Sequence, residues 1–202
     1  MRNFWAIYRR ELISYFTSPV AYVVLILFLV LMGLFFCYFM AVYTHTYNQY
    51  QMYLSYYFRM AQENPYLAQQ QMPRPPDFGQ EVMNPFYFWL SFIMLFILPM
   101  LTMRLFSEEK RSGTIEMLLT YPVRDSEVII GKFLSCLTVF GLTLGLTLIF
   151  PLFVNLTAEK AKLEWVPLAL TYGGALLVGG AFISMGMFLS SITRNQIIAA
   201  VL

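Results

Sequence analysis

Four stretches of the chain contain no Asp, Glu, Lys or Arg: Leu12–Phe58, Val82–Met103, Phe133–Ala158 and Trp165–Thr193. They run to 47, 22, 26 and 29 residues. A helix that crosses the hydrocarbon core of a bilayer needs ~20 apolar residues, so each stretch can supply one. Inside lipid a helix satisfies every backbone polar group within its own segment, which an open sheet cannot do. The pattern therefore predicts an all-α integral membrane protein. Composition agrees. Only 12% of the residues are charged and 59% are hydrophobic, against about 25% charged in a soluble domain. A soluble enzyme is excluded. The net charge of +2 is too small to draw a polyanion, so no nucleic-acid partner is expected.

The spans are placed at about 20–42, 85–103, 133–154 and 167–192. A fifth apolar run begins at Gln196 and reaches Leu202, the last residue of the sequence. The chain is thus expected to be the N-terminal part of a longer protein, with residues 196–202 a truncated fifth span. Residues 1–18 predict an amphipathic helix in the membrane interface. Phe4, Trp5, Tyr8, Leu12 and Tyr15/Phe16 recur every three to four residues, and Arg2, Arg9, Arg10 and Glu11 fall mostly elsewhere on the wheel. Ser18-Pro19 breaks that helix before the first span. The spacing of Tyr43, Tyr47, Tyr50, Leu54 and Phe58 allows the first span's helix to continue past the membrane until Asn64-Pro65. Pro73, Pro75 and Pro76 make 72–80 a loop.

The basic residues set the orientation. The N-terminus, loop 104–132 and the turn around Arg194 hold nine Lys and Arg, whereas loops 43–84 and 155–165 hold four. Even numbers of spans separate the members of the first group, so they share one side, and the excess of positive charge places that side in the cytoplasm. Loop 43–84 then lies outside, where its tyrosines can anchor the interface or form a docking face for an envelope partner.

Several chemistries are missing. No G-x-x-x-x-G-K-[ST] phosphate loop occurs, because Ser126 stands where the motif before Gly131-Lys132 needs glycine. No His, Asp, Glu or Lys lies within a predicted span, which leaves no intramembrane catalytic dyad or proton relay. Cys37 and Cys136 sit in spans and are expected to act as small buried hydrophobes. No catalytic residue, metal site or bound cofactor is expected in this chain. Small residues four apart, Gly141/Gly145, Ala175/Gly179 and Gly180/Ser184, let helix backbones approach closely. They serve packing within one subunit, a pathway lining or a dimer seam.

Ten of the charges are concentrated in residues 104–132. Lys110 and Arg111 would sit at the C-terminal end of a helix, where its dipole favours cations, and Gly113 would close it. Thr114 can cap a short helix over 115–120, with Glu116 in its first turn and Pro122 beyond its end. Ile115, Met117, Leu118 and Leu119 make that helix apolar nearly all round, so it must be buried. The bilayer interface and a groove on a partner protein would both serve. Asp125 or Ser126 is expected to cap the helix that carries Gly131-Lys132 into the third span.

This loop resembles the hallmark loop of ABC-2-type exporter permeases: an acidic pair (Glu108, Glu109), Gly113-Thr114, Glu116, the paired leucines Leu118 and Leu119, and Pro122, in that order between spans two and three. The Asn84-Pro85 opening of span two and Pro99 running into Met103-Arg104 are also similar to this family, and within it to the gliding-motility-associated subfamily. The resemblance implies a type V exporter-like transmembrane domain of six spans in the bacterial cytoplasmic membrane. It implies pairing with a second permease subunit, identical or not, and cytoplasmic ABC ATPase subunits that carry the ATP and Mg. The 113–120 helix would dock on the ATPase, with Glu108, Glu109, Gly113, Thr114, Glu116, Leu118, Leu119 and Pro122 forming the coupling site. The alternative is a membrane scaffold in which the loop binds a partner and nothing is transported.

Overall fold

The computed structural model describes residues 2–63, 72, 74–103, 105–106, 124–157 and 164–192. Among them there is no strand, and the protein is an all-α membrane domain. Helix α1 covers Arg2–Thr17 and α2 covers Pro19–Glu63. One wider, π-helical turn over Gly79–Met83 leads into α3, Asn84–Thr102. Helix α4 spans Asp125–Thr147, α5 spans Ile149–Thr157 and α6 spans Trp165–Ile192. Four of these segments are long and apolar enough to cross a membrane.

Each long helix buries one narrow stripe. On α2 the stripe is Val24, Phe28, Met32, Phe36 and Phe39, and on α3 it includes Phe86, Leu90, Ile93, Ile97 and Leu101. These residues meet Val139, Phe140 and Leu144 of α4 and Ile183 and Met187 of α6 in one continuous core. The remaining faces are equally apolar but exposed, with Leu177 at 76% and Leu156 at 85%. Around a soluble protein, apolar surface on this scale would drive association. Lipid tails cover it without cost, and association between the helices then rests on close packing and hydrogen bonds.

Proline explains where the helices start and break. Pro19 takes the first position of α2, where its missing N–H is not needed and its fixed φ suits a helix. Helix α2 then continues without interior proline for 45 residues, about 68 Å at 1.5 Å per residue. That is more than twice the ~30 Å hydrocarbon thickness. The third apolar stretch, expected as a single span over 133–154, is interrupted. Pro151 can donate no hydrogen bond to Thr147, so the ladder tightens at Leu148, whose N–H donates to the Gly145 carbonyl at 3.2 Å, and resumes with Leu152 N–H on Leu148 O at 3.1 Å.

Three other expectations change. The helix before Gly131-Lys132 is capped at Arg124, which is extended, and Asp125 and Glu127 lie inside its first turn. Residues 78–80 are helical rather than loop, because the Asp77 carboxylate accepts from the Gly79 N–H at 3.0 Å and its carbonyl accepts from the Glu81 N–H at 3.0 Å. Cys37 is exposed on the apolar face of α2, while Cys136 is buried. The truncated run 196–202 lies outside the described residues.

Candidate functional site

The charged loop connects the end of α3 to Arg124. Its coupling residues Glu108, Glu109, Gly113, Thr114, Glu116, Leu118, Leu119 and Pro122 lie outside the described residues. What the structure does describe is how the two attachments of that loop are held.

A helix C-terminus leaves its last four carbonyls without partners in the helix. At the end of α3 two neighbouring helices supply donors. The Tyr15 hydroxyl of α1 donates to the Leu101 carbonyl at 3.2 Å. The Ser190 hydroxyl of α6 donates to the Met103 carbonyl at 3.1 Å, and its oxygen accepts from the Phe106 N–H at 3.1 Å. Helix α6 comes close enough for this because residue 186 is glycine. A Cβ there would overlap the Thr102 side chain.

At the start of α4, Lys132 is 1% exposed and its Nζ lies 3.0 Å from Glu11 Oε1 of α1, which is 14% exposed. The ammonium also sits over the Phe106 ring, 5.3 Å from its centroid, at the range of an attractive cation–π contact. Gly131 lets α1 settle against α4, since a Cβ there would stand 3.0 Å from Ile7 Cγ2. About two turns further along α4, the Tyr8 and Thr138 hydroxyls share a hydrogen bond of 3.0 Å.

Helix α1 is the amphipathic helix that its wheel predicts, except that Glu11, expected on the polar side, faces the bundle. Glu11 and Tyr8, Leu12 and Tyr15 from the aromatic stripe turn toward the bundle, and the stripe packs on α4 and the end of α3. Trp5, Ile13 and Phe16 remain outward with Arg9 and Arg10. The buried face carries hydroxyls and a carboxylate that find specific partners there, which lipid could not offer.

The small residues of α4 and α6 occupy different surroundings. Gly179 lies against the Phe140 ring with no room for a Cβ. A Cβ at Gly180 would be 3.8 Å from Leu137 and Phe133, and one at Gly141 would be 3.6 Å from Leu176. Gly145 has nothing within 4 Å of that position. Gly141 and Gly145 line an open apolar groove beside Phe16, Leu25 and Leu176. Ser184 is exposed and donates to the Ala181 carbonyl of its own helix at 2.7 Å. Two tight approaches, at Gly186 and Gly131, fall outside the small-residue pairs that the sequence suggests. Gly186 and Ser190 are themselves small residues four apart, so that signal was present. Gly131 was read as part of a loop motif, which hid its packing against Ile7. Lys132 belongs by sequence to the charged segment 104–132, yet it is buried where α1, α4 and the residues after α3 meet.

Among the described residues no three His, Cys, Asp or Glu side chains come together to hold a metal. Residues 5–202 match a family model described as ABC-2 family transporter protein. No curated protein and no solved structure matches the chain.

Proposed function

The chain belongs to the ABC-2 transporter family, and from that premise we propose that it is the transmembrane subunit of an exporter driven by separate ATPase subunits. As a family member it is a multi-pass permease component of an ABC transporter, and an ABC ATPase is the partner this implies. The finer reading adds the docking surface. The short apolar helix over 115–120 sits in a groove of the ATPase, with Leu118 and Leu119 buried there and Glu108, Glu109 and Glu116 setting register by charge. Gly113-Thr114 starts that helix and Pro122 ends it. The ATPase binds ATP and Mg and performs the hydrolysis, and this chain contributes no catalytic group.

The observation that carries this reading is the anchoring of both loop attachments by three helices around Phe106, Ser190 and Lys132. A loop held this firmly at both ends can pass a push from a docked partner into the membrane helices. Two permease subunits, identical or not, rock between inward and outward access around the substrate path. The N-terminus and loop 104–132 face the cytoplasm of a bacterial cell, and the similarity in the loop favours the gliding-motility-associated branch.

The test is Leu118→Asp in the full-length protein. A carboxylate in an apolar groove costs several kcal/mol, so the ATPase is expected to stop co-purifying. Normal co-purification and transport-linked hydrolysis in this variant would remove the docking assignment.

A further inference from the structure

Helix α1 touches both attachments of the charged loop. Tyr15 holds the end of α3 through the Leu101 carbonyl, and Glu11 holds the start of α4 through Lys132. Lys132 in turn reaches Phe106, which follows α3. The same short helix connects through Ser18-Pro19 to α2, the longest element of the fold.

We propose that α1 is a strap that makes the two loop attachments move as one body and passes that motion to α2, with Lys132 as the positioning residue that keeps the strap in register. This rests on the transporter reading for its role in coupling, while the strap itself is a property of the bundle.

The argument is one of directionality. Each dispersion contact between apolar faces is worth only ~0.1–0.2 kcal/mol, so a seam of them alone would let α1 shift along α4 under load. A hydrogen-bonded ion pair of 3.0 Å between a buried ammonium and a largely buried carboxylate cannot slide without separating charges that water screens only in part. The Ile7 side chain seated at Gly131 and the Tyr8–Thr138 hydrogen bond fix the same register. At the other end, Ser18 is buried and Pro19 interrupts the hydrogen-bond ladder between α1 and α2. A rigid strap followed by a break in the ladder is the arrangement needed to turn a shift of the loop attachments into a tilt of α2.

The experiment places spin labels at two exposed positions, Ser14 on α1 and Ile130 on α4, with Cys37 and Cys136 replaced, in the full-length permease in lipid nanodiscs. In the otherwise native protein the distance between them is expected to be narrow. Glu11→Ala should at least double its width, and the swapped pair Glu11→Lys with Lys132→Glu should narrow it again. Glu11→Asp, with its carboxylate one methylene short, serves if Glu11→Ala fails to fold. An unchanged width in the Glu11→Ala variant overturns the strap, whether or not an ATPase is present. A second label pair, Ser14 with Tyr53, is then followed in the complex with the co-purifying ATPase, using ATP plus orthovanadate. Glu11→Ala should keep hydrolysis within twofold and reduce the nucleotide-driven distance change at least fivefold. A full distance change in a variant whose first width has broadened overturns the coupling role. If no ATPase accompanies the native protein, the transporter reading fails instead, and the first label pair still decides the strap.

Discussion

Gly179 of α6 faces the ring of Phe140 on α4 so closely that a single methyl group at position 179 would overlap it. Phe140 is 1% exposed and enclosed by the core, so its ring has nowhere to retreat. Overpacking of this kind costs about 1–3 kcal/mol. Gly179→Ala is therefore expected to lower the thermal midpoint in detergent. Gly145→Ala meets open space and should leave it unchanged or raise it, since Ala is the better helix former by up to ~1 kcal/mol. A destabilised Gly145→Ala would show that another chain covers that groove.

Ser190 joins two segments through one hydroxyl. Ser190→Ala removes its hydrogen bonds to Met103 O and Phe106 N, each worth about 1 kcal/mol net. Hydrogen exchange at the Phe106 amide is expected to quicken by roughly tenfold, with little change in the amides of α2. Unchanged protection at Phe106 would mean that Ser190 does not hold the end of α3.

The ion pair makes a prediction in two parts. Lys132→Met leaves the Glu11 carboxylate largely buried beside apolar atoms, and breaking a buried pair from one side costs about 3–5 kcal/mol. The double variant Glu11→Leu with Lys132→Met removes both charges and should recover most of that loss. Thermal unfolding of the two proteins compares them directly, and equal destabilisation would place the effect in packing rather than in charge.

Topology is tested by labelling. A cysteine at Tyr53, exposed on the outer part of α2, is expected to react with an impermeant maleimide in intact cells. One at Ser126, exposed at the start of α4, should react only after permeabilisation. The reverse result would invert the orientation set by the basic loops.

The membrane architecture was legible because lipid imposes a simple requirement: charge-free runs of sufficient length. Even the continuation of α2 beyond the bilayer could be seen, in the helical spacing from Tyr43 to Phe58, and the helix does reach Glu63. The break at Leu148 was within reach too, since Pro151 is visible in the sequence, but hydropathy over a window averages across a single proline. The junction at Lys132 was harder. A lysine at the edge of a charged segment resembles a solvated one, and its partner is 121 positions away. Nor does a helical wheel say which neighbour an amphipathic stripe will meet. The aromatic and polar residues of α1 suit a headgroup layer as well as they suit α4 until Tyr8, Glu11 and Tyr15 are seen with their partners.

Helix α2 extends well beyond the bilayer core, by roughly 38 Å on its length and rise. Any rotation about its base is therefore amplified at its far end. A tilt of about ten degrees about that base, within the size of known rigid-body rotations, sweeps the tyrosine-bearing tip sideways by about 12 Å, by the geometry of a straight rod ~68 Å long. Were the bundle to rock, the outer half of this helix would act as a pointer, turning a small adjustment at the membrane into a larger displacement at its end.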